Sequence, residues 1–505
     1  MNLPLETDVQ IPGLVVLAIL LTAQLGSSQP TSLPDSYRRA KTLLDAAVEA
    51  HGGREGLTRA TRLSARMEGR DHWRNQSRAV SAPYDTEPWL AELILDTPAR
   101  RLVWTVSSRF PGGFFSASRV VIDGASGFNA NLRQGTHFTV ANRALETQRP
   151  NLFRLPHLVL LAVLDNPGEL RWLGPMTTRS GRPVEAIVAP TTPGSLTLGF
   201  DPATKELRAI LGMTTDPLLG DTGTEVTFTD YRRVGGILIP GRRTASTGGE
   251  VTQEVEYREV GFEPVFADSL LQPPAQSVTL GTPPAAVPVR ELAPGVWAVD
   301  PGGYVSLVVA FDQFVLATEA PGQSAAIIER IKTLAPGKPI QWVVPSHHHD
   351  DHAGGAREYV AEGATILTTP GNVGYFRQMA AASRTIRPDR QSRVRAPAKI
   401  ETVTGGRRTI SNGTRIVEVH DIGPSPHANE MLVIWLPAEG ILYQGDLLNL
   451  PPTGEVPRNA ANATSAHFAQ QVAAKGWTVK MLLGAHMQPG DFGLLGRALA
   501  NRSDP

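Results

Sequence analysis

The string SHHHDDH at residues 346–352 restricts the fold of this chain more than any other feature of the sequence. It follows QWVVP, an apolar run that predicts a buried strand, and precedes AGG, where glycine lets the backbone turn closely before a helix. The spacing His-x-His-x-Asp-His places four imidazole and carboxylate groups on one short loop. Because such a composition is hard to explain as a solvated surface, the string predicts a metal site.

Three single residues farther along the chain also end or follow predicted strands: His427 in GPSPHANEMLVIWLP, Asp446 in ILYQGDLL and His486 in LLGAHM. Taken singly, each histidine is more often structural, and Gly445-Asp446 is more often a turn. Their order after the string favours ligands, because loops at strand ends converge at one edge of a sandwich.

The chain has no cysteine, which excludes disulfides, thiol nucleophiles and thiolate ligands. Zinc then takes imidazole and carboxylate, and a catalytic zinc site keeps one position for water. The seven candidate ligands of two zinc ions are His347, His349, Asp351, His352, His427, Asp446 and His486. The equal numbers of basic and acidic residues, 48 and 48, argue against a nucleic-acid partner.

The order of predicted strands and helices changes after a segment rich in Pro, Ala and Ser. With the uncharged N-terminal segment, this change divides the sequence into four parts. Residues 1–29 form a predicted signal peptide, 30–275 a β-rich domain, 276–288 a linker and 289–505 a domain of alternating strands and helices. The overall prediction is an α/β fold, with antiparallel strands before the linker and a layered sandwich after it.

The prediction of export rests on residues 11–25, which carry no charge and are too short to span a bilayer. The preceding residues contain Glu6 and Asp8 but no Lys or Arg, so an uncleaved anchor or a buried strand is the alternative. We expect a periplasmic or secreted bacterial protein without a stable membrane span.

Residues 290–490 resemble the metallo-β-lactamase superfamily in its binuclear zinc hydrolase form, through the string and the three downstream residues. This resemblance implies an αββα sandwich. It also implies that His347, His349 and His427 hold one metal and that Asp351, His352 and His486 hold the other. Asp446 and a hydroxide would bridge the two metals, and Asp351 would orient the attacking hydroxide as the catalytic residue.

Residues 30–275 resemble the half-barrel of LolA/LolB-type lipoprotein carriers, through AVEAHGG and TDYRRVGGILIPGRR. That resemblance implies an apolar ligand in this region, whereas the alternative is an all-β packing module. The pattern consists of one helix near 36–51, a long antiparallel meander and an apolar helical piece at 152–164.

The resulting functional hypothesis is an exported zinc-dependent hydrolase that cleaves an ester, thioester, lactone or amide bond of a small molecule. His349 stands where the redox diiron members of the superfamily carry a carboxylate, which favours hydrolysis over oxygen chemistry. β-Lactamase activity is one alternative, and a lipophilic-ligand-binding protein with a vestigial metal domain is another.

Overall fold

The structure is a computed structural model, and it describes residues 32–110, 115–139, 155–165, 167–190, 195–277, 287–450 and 462–500. The predicted signal peptide at 1–29 lies outside the described residues, and so do residues 278–286 of the predicted linker. Of the helices that the structure describes, none is both long and apolar enough to cross a membrane.

The described strands before residue 278 form one large sheet and one small hairpin. Their bounds are β1 Arg62–His72, β2 Thr86–Asp96, β3 Arg101–Arg109, β4 Phe115–Asp123, β5 Ser126–Asn131, β6 Thr136–Thr139, β7 Arg171–Thr177, β8 Pro183–Pro190, β9 Ser195–Phe200, β10 Leu207–Asp216, β11 Gly220–Thr229, β12 Arg232–Val234, β13 Ile237–Ile239, β14 Arg242–Thr247, β15 Glu250–Phe262 and β16 Gln276–Ser277.

Fourteen of these strands pair in the order β16-β6-β5-β4-β3-β2-β1-β15-β14-β11-β10-β9-β8-β7, and β12 pairs with β13. Neighbours run antiparallel except at the β16–β6 edge, which is parallel. No pairing among the described residues joins β16 to β7, so this sheet is open. Its curvature into a half-barrel stays a prediction.

Helices cover one face of this sheet. The strands alternate apolar and polar residues, so the apolar side chains share one face and are buried under these helices. In β2, Leu93 and Leu95 are buried while Glu92 is exposed. The helices in this half are α1 Leu33–His51, α2 Gly53–Arg59, α3 Pro156–Leu164 and α4 Asp268–Leu271. Leu44 of α1 and Val159 of α3 lie in the same core as the β2 residues. The predicted helix near 36–51 is therefore confirmed. The apolar piece predicted at 152–164 is helical from Pro156 to Leu164, and residues 152–154 lie outside the described residues.

The described strands after residue 287 form two further sheets. The seven-stranded sheet contains β17 Val289–Ala293, β18 Val296–Val299, β19 Ser306–Ala310, β20 Val315–Thr318, β21 Ile340–Val344, β22 Thr365–Thr368 and β23 Lys399–Thr402. The six-stranded sheet contains β24 Arg407–Ser411, β25 Ile416–Asp421, β26 Leu432–Leu436, β27 Ile441–Tyr443, β28 Met481–Gly484 and β29 Met487–Asp491. The helices are α5 Ser324–Leu334, α6 Asp350–Ala353, α7 Ala356–Ala361, α8 Val373–Ala381, α9 Arg390–Val394, α10 Ala463–Lys475 and α11 Gly493–Ala500.

These two sheets pack face to face between helices. Val344 of the first sheet and Ile434 of the second lie in one shared core. Ile327 of α5 packs on the outer face of the first sheet, and Phe468 of α10 packs on the outer face of the second. The order helix–sheet–sheet–helix is the αββα sandwich that the sequence predicts.

The N-terminal sheet contacts this sandwich directly through loops at the end of its strands. Leu218, in the β10–β11 loop, is buried in the core that contains α5 and α8. The Asp221 backbone N–H donates to the Ser383 carbonyl (2.7 Å), and the Arg384 guanidinium donates to the Pro217 carbonyl (2.6 Å). The two halves of the chain are thus joined by a buried apolar contact and by hydrogen bonds as well as by the linker.

Candidate metal centre

The predicted ligands all lie at one edge of the sandwich because each follows the end of a strand. His347 and His349 come shortly after β21. The next helix, α6, begins at Asp350 and carries the other two predicted ligands of the string, Asp351 and His352. From the second sheet, His427 lies between β25 and β26, Asp446 follows β27, and His486 occupies the turn between β28 and β29.

Two glycines allow these loops to approach one another closely. A Cβ atom on Gly355 would lie 2.1 Å from the Pro321 carbonyl oxygen, so only glycine fits where the string leads into α7. Gly445 has a φ of +65°, and a Cβ there would lie 2.6 Å from the Ser346 hydroxyl oxygen. Glycine at this position therefore lets the Asp446 loop of one sheet meet the histidine string of the other.

The structure brings all seven predicted ligands together in three overlapping groups, in each of which the ligand atoms lie within 4.8 Å of one another. The groups are His347 with His349 and His427, His347 with His352 and Asp446, and Asp351 with His352 and His486. Because the middle group shares a histidine with each of the others, the groups form one continuous pocket.

The distances between ligand atoms fit metal coordination. Two ligands of a tetrahedral ion with bonds of about 2.0–2.1 Å lie roughly 3.3 Å apart. Asp351 Oδ2 lies 3.3 Å from His486 Nε2 and 3.5 Å from His352 Nε2. His427 Nε2 lies 3.1 Å from both His347 Nε2 and Asp446 Oδ2. These separations match the edges of such a tetrahedron.

Several of these atoms are buried and form no hydrogen bond with the rest of the chain. They include His349 Nδ1, His352 Nε2 and Asp446 Oδ1. A buried polar atom without a partner costs about 1–3 kcal/mol, which a bound cation would offset. The donor set consists of nitrogen and carboxylate oxygen, as a metal ion requires, so the residues fit a metal ion.

The histidines nearest β21 are held in the form that binds metals. Burial lowers the pKa of His347 and of His349 well below the usual value, and neighbouring histidines lower it further. Both rings are therefore neutral at physiological pH and offer a lone pair. His347 Nδ1 lies 2.9 Å from the Ser346 hydroxyl, which leaves Nε2 facing His427.

The carboxylates of the pocket are held in the charged form. Burial by itself would raise the pKa of Asp446, but His427 and His486 outweigh it and lower the pKa. Burial also opposes the charge of Asp351, yet His352 and His486 keep its pKa well below the usual value. The pocket therefore contains two partly buried negative charges, which a dication would neutralise.

Glu319 also belongs to this pocket, and the sequence analysis missed it. Its side chain is 1% exposed and follows β20; Oε2 accepts from the Ser346 backbone N–H (3.0 Å) and Oε1 accepts from the Tyr443 hydroxyl (3.1 Å). Oε2 also lies 3.4 Å from His352 Nδ1. The signal in the sequence was a single acidic residue ending the apolar run VLATE.

The loop between β1 and β2, in the N-terminal half, reaches the same pocket and was also missed. Gln76 Nε2 donates to Asp350 Oδ1 (2.5 Å) and to Asp351 Oδ1 (2.8 Å). The Ser77 carbonyl lies 3.0 Å from His349 Nε2. Nothing in the sequence near Gln76 could have indicated a partner more than 270 positions away.

The other polar residues near the string occupy supporting positions. The ring of His348 packs against Tyr375, with centroids 5.5 Å apart, and burial lowers its pKa to about 4. Burial and the nearby Asp351 raise the pKa of Asp350 to about 6. His420, which lies outside the ligand pattern, pairs with Glu418 at 2.8 Å.

Two solved structures are similar to part of the chain. A metallo-beta-lactamase from Pontibacter korlensis is 20% identical, with a TM-score of 0.32, over 43% of this chain and 98% of that one. The metallo-beta-lactamase FIM-1 from Pseudomonas aeruginosa, in a mono-zinc form, is 21% identical, with a TM-score of 0.33, over 44% and 97%. A search of curated proteins found no match.

A family model described as the metallo-beta-lactamase superfamily matches residues 319–485. The match begins at Glu319 and contains the string, His427 and Asp446, and it ends one residue before His486. Residues 319–485 therefore form a domain of the metallo-beta-lactamase superfamily, and this membership indicates a metal-dependent hydrolase.

Proposed function

We propose that the chain is a binuclear zinc hydrolase that cleaves an ester, thioester, lactone or amide bond. The single observation that carries the proposal is the continuous pocket formed by the three overlapping ligand groups. In this proposal His347, His349 and His427 hold one zinc ion, and Asp351, His352 and His486 hold the second. Asp446, whose group shares a histidine with each of the others, would bridge them.

Zinc, when bound, lowers the pKa of its water towards about 7 and polarises a carbonyl oxygen. The residues of the chain orient and neutralise the charges around this chemistry. Asp351 Oδ1 accepts from Gln76, so the remaining oxygen, Oδ2, is the atom that faces His352 and His486. We assign Asp351 the catalytic role of orienting the attacking water and holding its proton.

The proposed substrate is a small molecule with an activated carbonyl group. The chain has no cysteine, and no nucleophilic side chain is needed, because zinc would supply an activated water as the nucleophile. We also propose export to the periplasm or medium, on the basis of the uncharged segment at 11–25. Amino-terminal sequencing of the mature protein tests export, and an intact Met1 would contradict it.

An apolar ligand of the N-terminal half remains a separate hypothesis. Leu44 and Val159 of the helices pack against Leu93 of the sheet and lie in one core. These helices cover part of the apolar face of the sheet. The complete set of seven grouped residues favours the hydrolase over a carrier with a vestigial metal site.

The test is metal analysis of the purified full chain followed by turnover of chromogenic esters, thioesters, lactones, amides and β-lactams. We expect two zinc equivalents per chain and hydrolysis of at least one carbonyl class. His427→Ala should lose metal and activity together, whereas the matched variant His420→Ala should keep both. A chain that binds zinc but hydrolyses none of these substrates would refute the proposed activity.

A further inference from the structure

The loop between β1 and β2, residues 73–85, is far longer than the connection between these strands requires. Neighbouring antiparallel strands can be joined by two residues, whereas this loop has 13. It does not extend into solvent. Four consecutive residues, 75–78, each form a hydrogen bond with the loops that carry the predicted ligands.

Two of these contacts fix backbone positions. The Asp350 backbone N–H donates to the Asn75 carbonyl (3.0 Å), and the Asn429 backbone N–H donates to the Arg78 carbonyl (2.9 Å). Asp350 lies within the string, and Asn429 lies two residues after His427. The loop therefore ties together the ligand-bearing segments of both sheets of the sandwich.

The third contact determines the tautomer of a predicted ligand. A carbonyl oxygen can only accept, so the 3.0 Å contact between the Ser77 carbonyl and His349 Nε2 requires the proton on Nε2. Nδ1 then carries the lone pair, and this atom is buried and has no hydrogen-bond partner. Partners of this kind fix the ring orientation of metal-binding histidines.

The fourth contact selects the free oxygen of Asp351. Carboxylate oxygens only accept, so both N–H groups of the Gln76 amide are directed at Asp350 and Asp351. Oδ1 of Asp351 is thereby occupied, and Oδ2 is left 3.3 Å from His486 Nε2. Gln76 therefore acts on the ligand group of one metal ion only.

The loop itself is held rigidly enough to perform this role. The Asp85 backbone N–H donates to the Ser77 hydroxyl (2.8 Å), and Asp85 accepts from the Arg78 side chain (2.7 Å). Arg74 is 7% exposed and pairs with Asp216 and with Glu250. Ser77 is fully buried.

We propose that the 73–85 loop of the N-terminal half is a built part of the metal centre, in which Gln76 is a positioning residue for Asp351 and Ser77 orients His349 through its carbonyl. The inference rests on the proposed function, because it assumes that these residues bind zinc. The N-terminal half is then a structural component of the active site.

The test is a zinc titration of the full chain against a competing chelator, comparing wild type with Gln76→Met. Methionine keeps the length of the side chain but removes both N–H donors. We expect one of the two zinc affinities, that of the Asp351 group, to fall about 10–100-fold while the other changes less than about threefold. On a substrate that wild type hydrolyses, kcat should fall with little change in KM. Gln134→Met, an exposed glutamine between β5 and β6, is the matched control.

A merely structural role for Gln76 would weaken both zinc sites equally and lower the melting temperature of the metal-free chain. That result, or an unchanged affinity at both sites, overturns the proposal. If wild type binds two zinc ions without hydrolysing any substrate, only the proposed function fails. A wild-type chain that binds no zinc overturns both.

Hydrogen exchange of the wild-type chain provides a second measurement that does not depend on the variant folding. Addition of zinc alone should slow exchange in peptides that cover 73–85 as well as in those that cover 346–352. Peptides from 126–139, at the far part of the sheet, serve as the control. Zinc-dependent protection of 346–352 without any change in 73–85 would overturn the proposal.

Discussion

Replacement of Glu319 by glutamine tests whether this buried carboxylate tunes a metal ligand. The residue lies behind His352, with Oε2 3.4 Å from Nδ1, and it forms no part of the predicted ligand set. If its charge holds the proton on Nδ1, then Nε2 keeps the lone pair that faces Asp351 and Asp446.

The contacts of Glu319 allow the size of the effect to be worked out. In Glu319→Gln the amide oxygen can still accept from the Ser346 N–H, and the amide nitrogen can donate to the Tyr443 oxygen. Tyr443 can do without the carboxylate because its hydroxyl also lies 2.8 Å from the Val305 carbonyl. The substitution therefore keeps the hydrogen bonds and removes only the charge.

Hydrogen bonds to charged groups contribute about 1.5–3 kcal/mol, against about 1 kcal/mol for neutral ones. Replacing the charged acceptor by a neutral one therefore weakens two such hydrogen bonds by roughly 1–4 kcal/mol in total. We expect the part of this that reaches His352 to lower zinc affinity about 10–100-fold. Chelator competition on the full chain measures this affinity, and circular dichroism verifies the fold.

Tyr443→Phe is the matched control, because it removes a hydrogen bond of Glu319 and keeps the charge. Its zinc affinity should stay within about threefold of wild type, because the charge of Glu319 and its contact with His352 are both kept. The cost of the lost hydrogen bond falls on the stability of the fold instead. If Glu319→Gln binds zinc as tightly as wild type, the reasoning about His352 is wrong.

Three further predictions follow from the same geometry. Asp351→Asn should lower turnover by about 10²–10⁴ and reduce bound zinc, whereas His348→Asn should cost far less; the reverse order would show that the ligand positions are misassigned. Burial lowers the pKa of His51 to about 4 and of His157 to about 3. In the unfolded chain the pKa of each histidine is about 6.5, so the folded protein has its full stability above that pH. As the pH falls to 5, the unfolded chain takes up protons that the folded protein does not, and the free energy of unfolding should fall by about 2 kcal/mol per histidine. Denaturant titrations over this range measure the slope, which His157→Gln should reduce. Cleavage within 276–288 should leave two fragments that co-elute in size-exclusion chromatography, and separate elution would contradict the contacts between the halves.

The seven residues that the structure groups together could be predicted from the sequence because the string has a local signal and the order of the three later residues completes its pattern. The string at 346–352 is a short segment of unusual composition directly after an apolar strand. The glycines that follow it report a close backbone approach, and Gly355 meets the Pro321 carbonyl as such an approach requires. The periodicity of apolar residues likewise identified α1 and the layered sandwich, since burial of one face leaves a pattern in the sequence.

The groups around the ligands leave no such signal, because their role depends on distant partners. Glu319 is one carboxylate among many until β20 and β21 pair in parallel and bring it against Ser346. Ser77 acts through its backbone carbonyl, which every residue type possesses, so its side chain carries no information about His349.

The same reasoning explains why two regions that the sequence pattern divides at a linker still contact each other in the structure. The linker at 276–288 divides regions of different pattern, and patterning is governed by which face of each element is buried. Contacts between the two folded regions are made by a few residues in loops, such as Leu218 and Gln76. These residues are too few to change the spacing of apolar residues along the sequence. The sequence therefore reports the two cores separately, while the metal pocket depends on a loop from each.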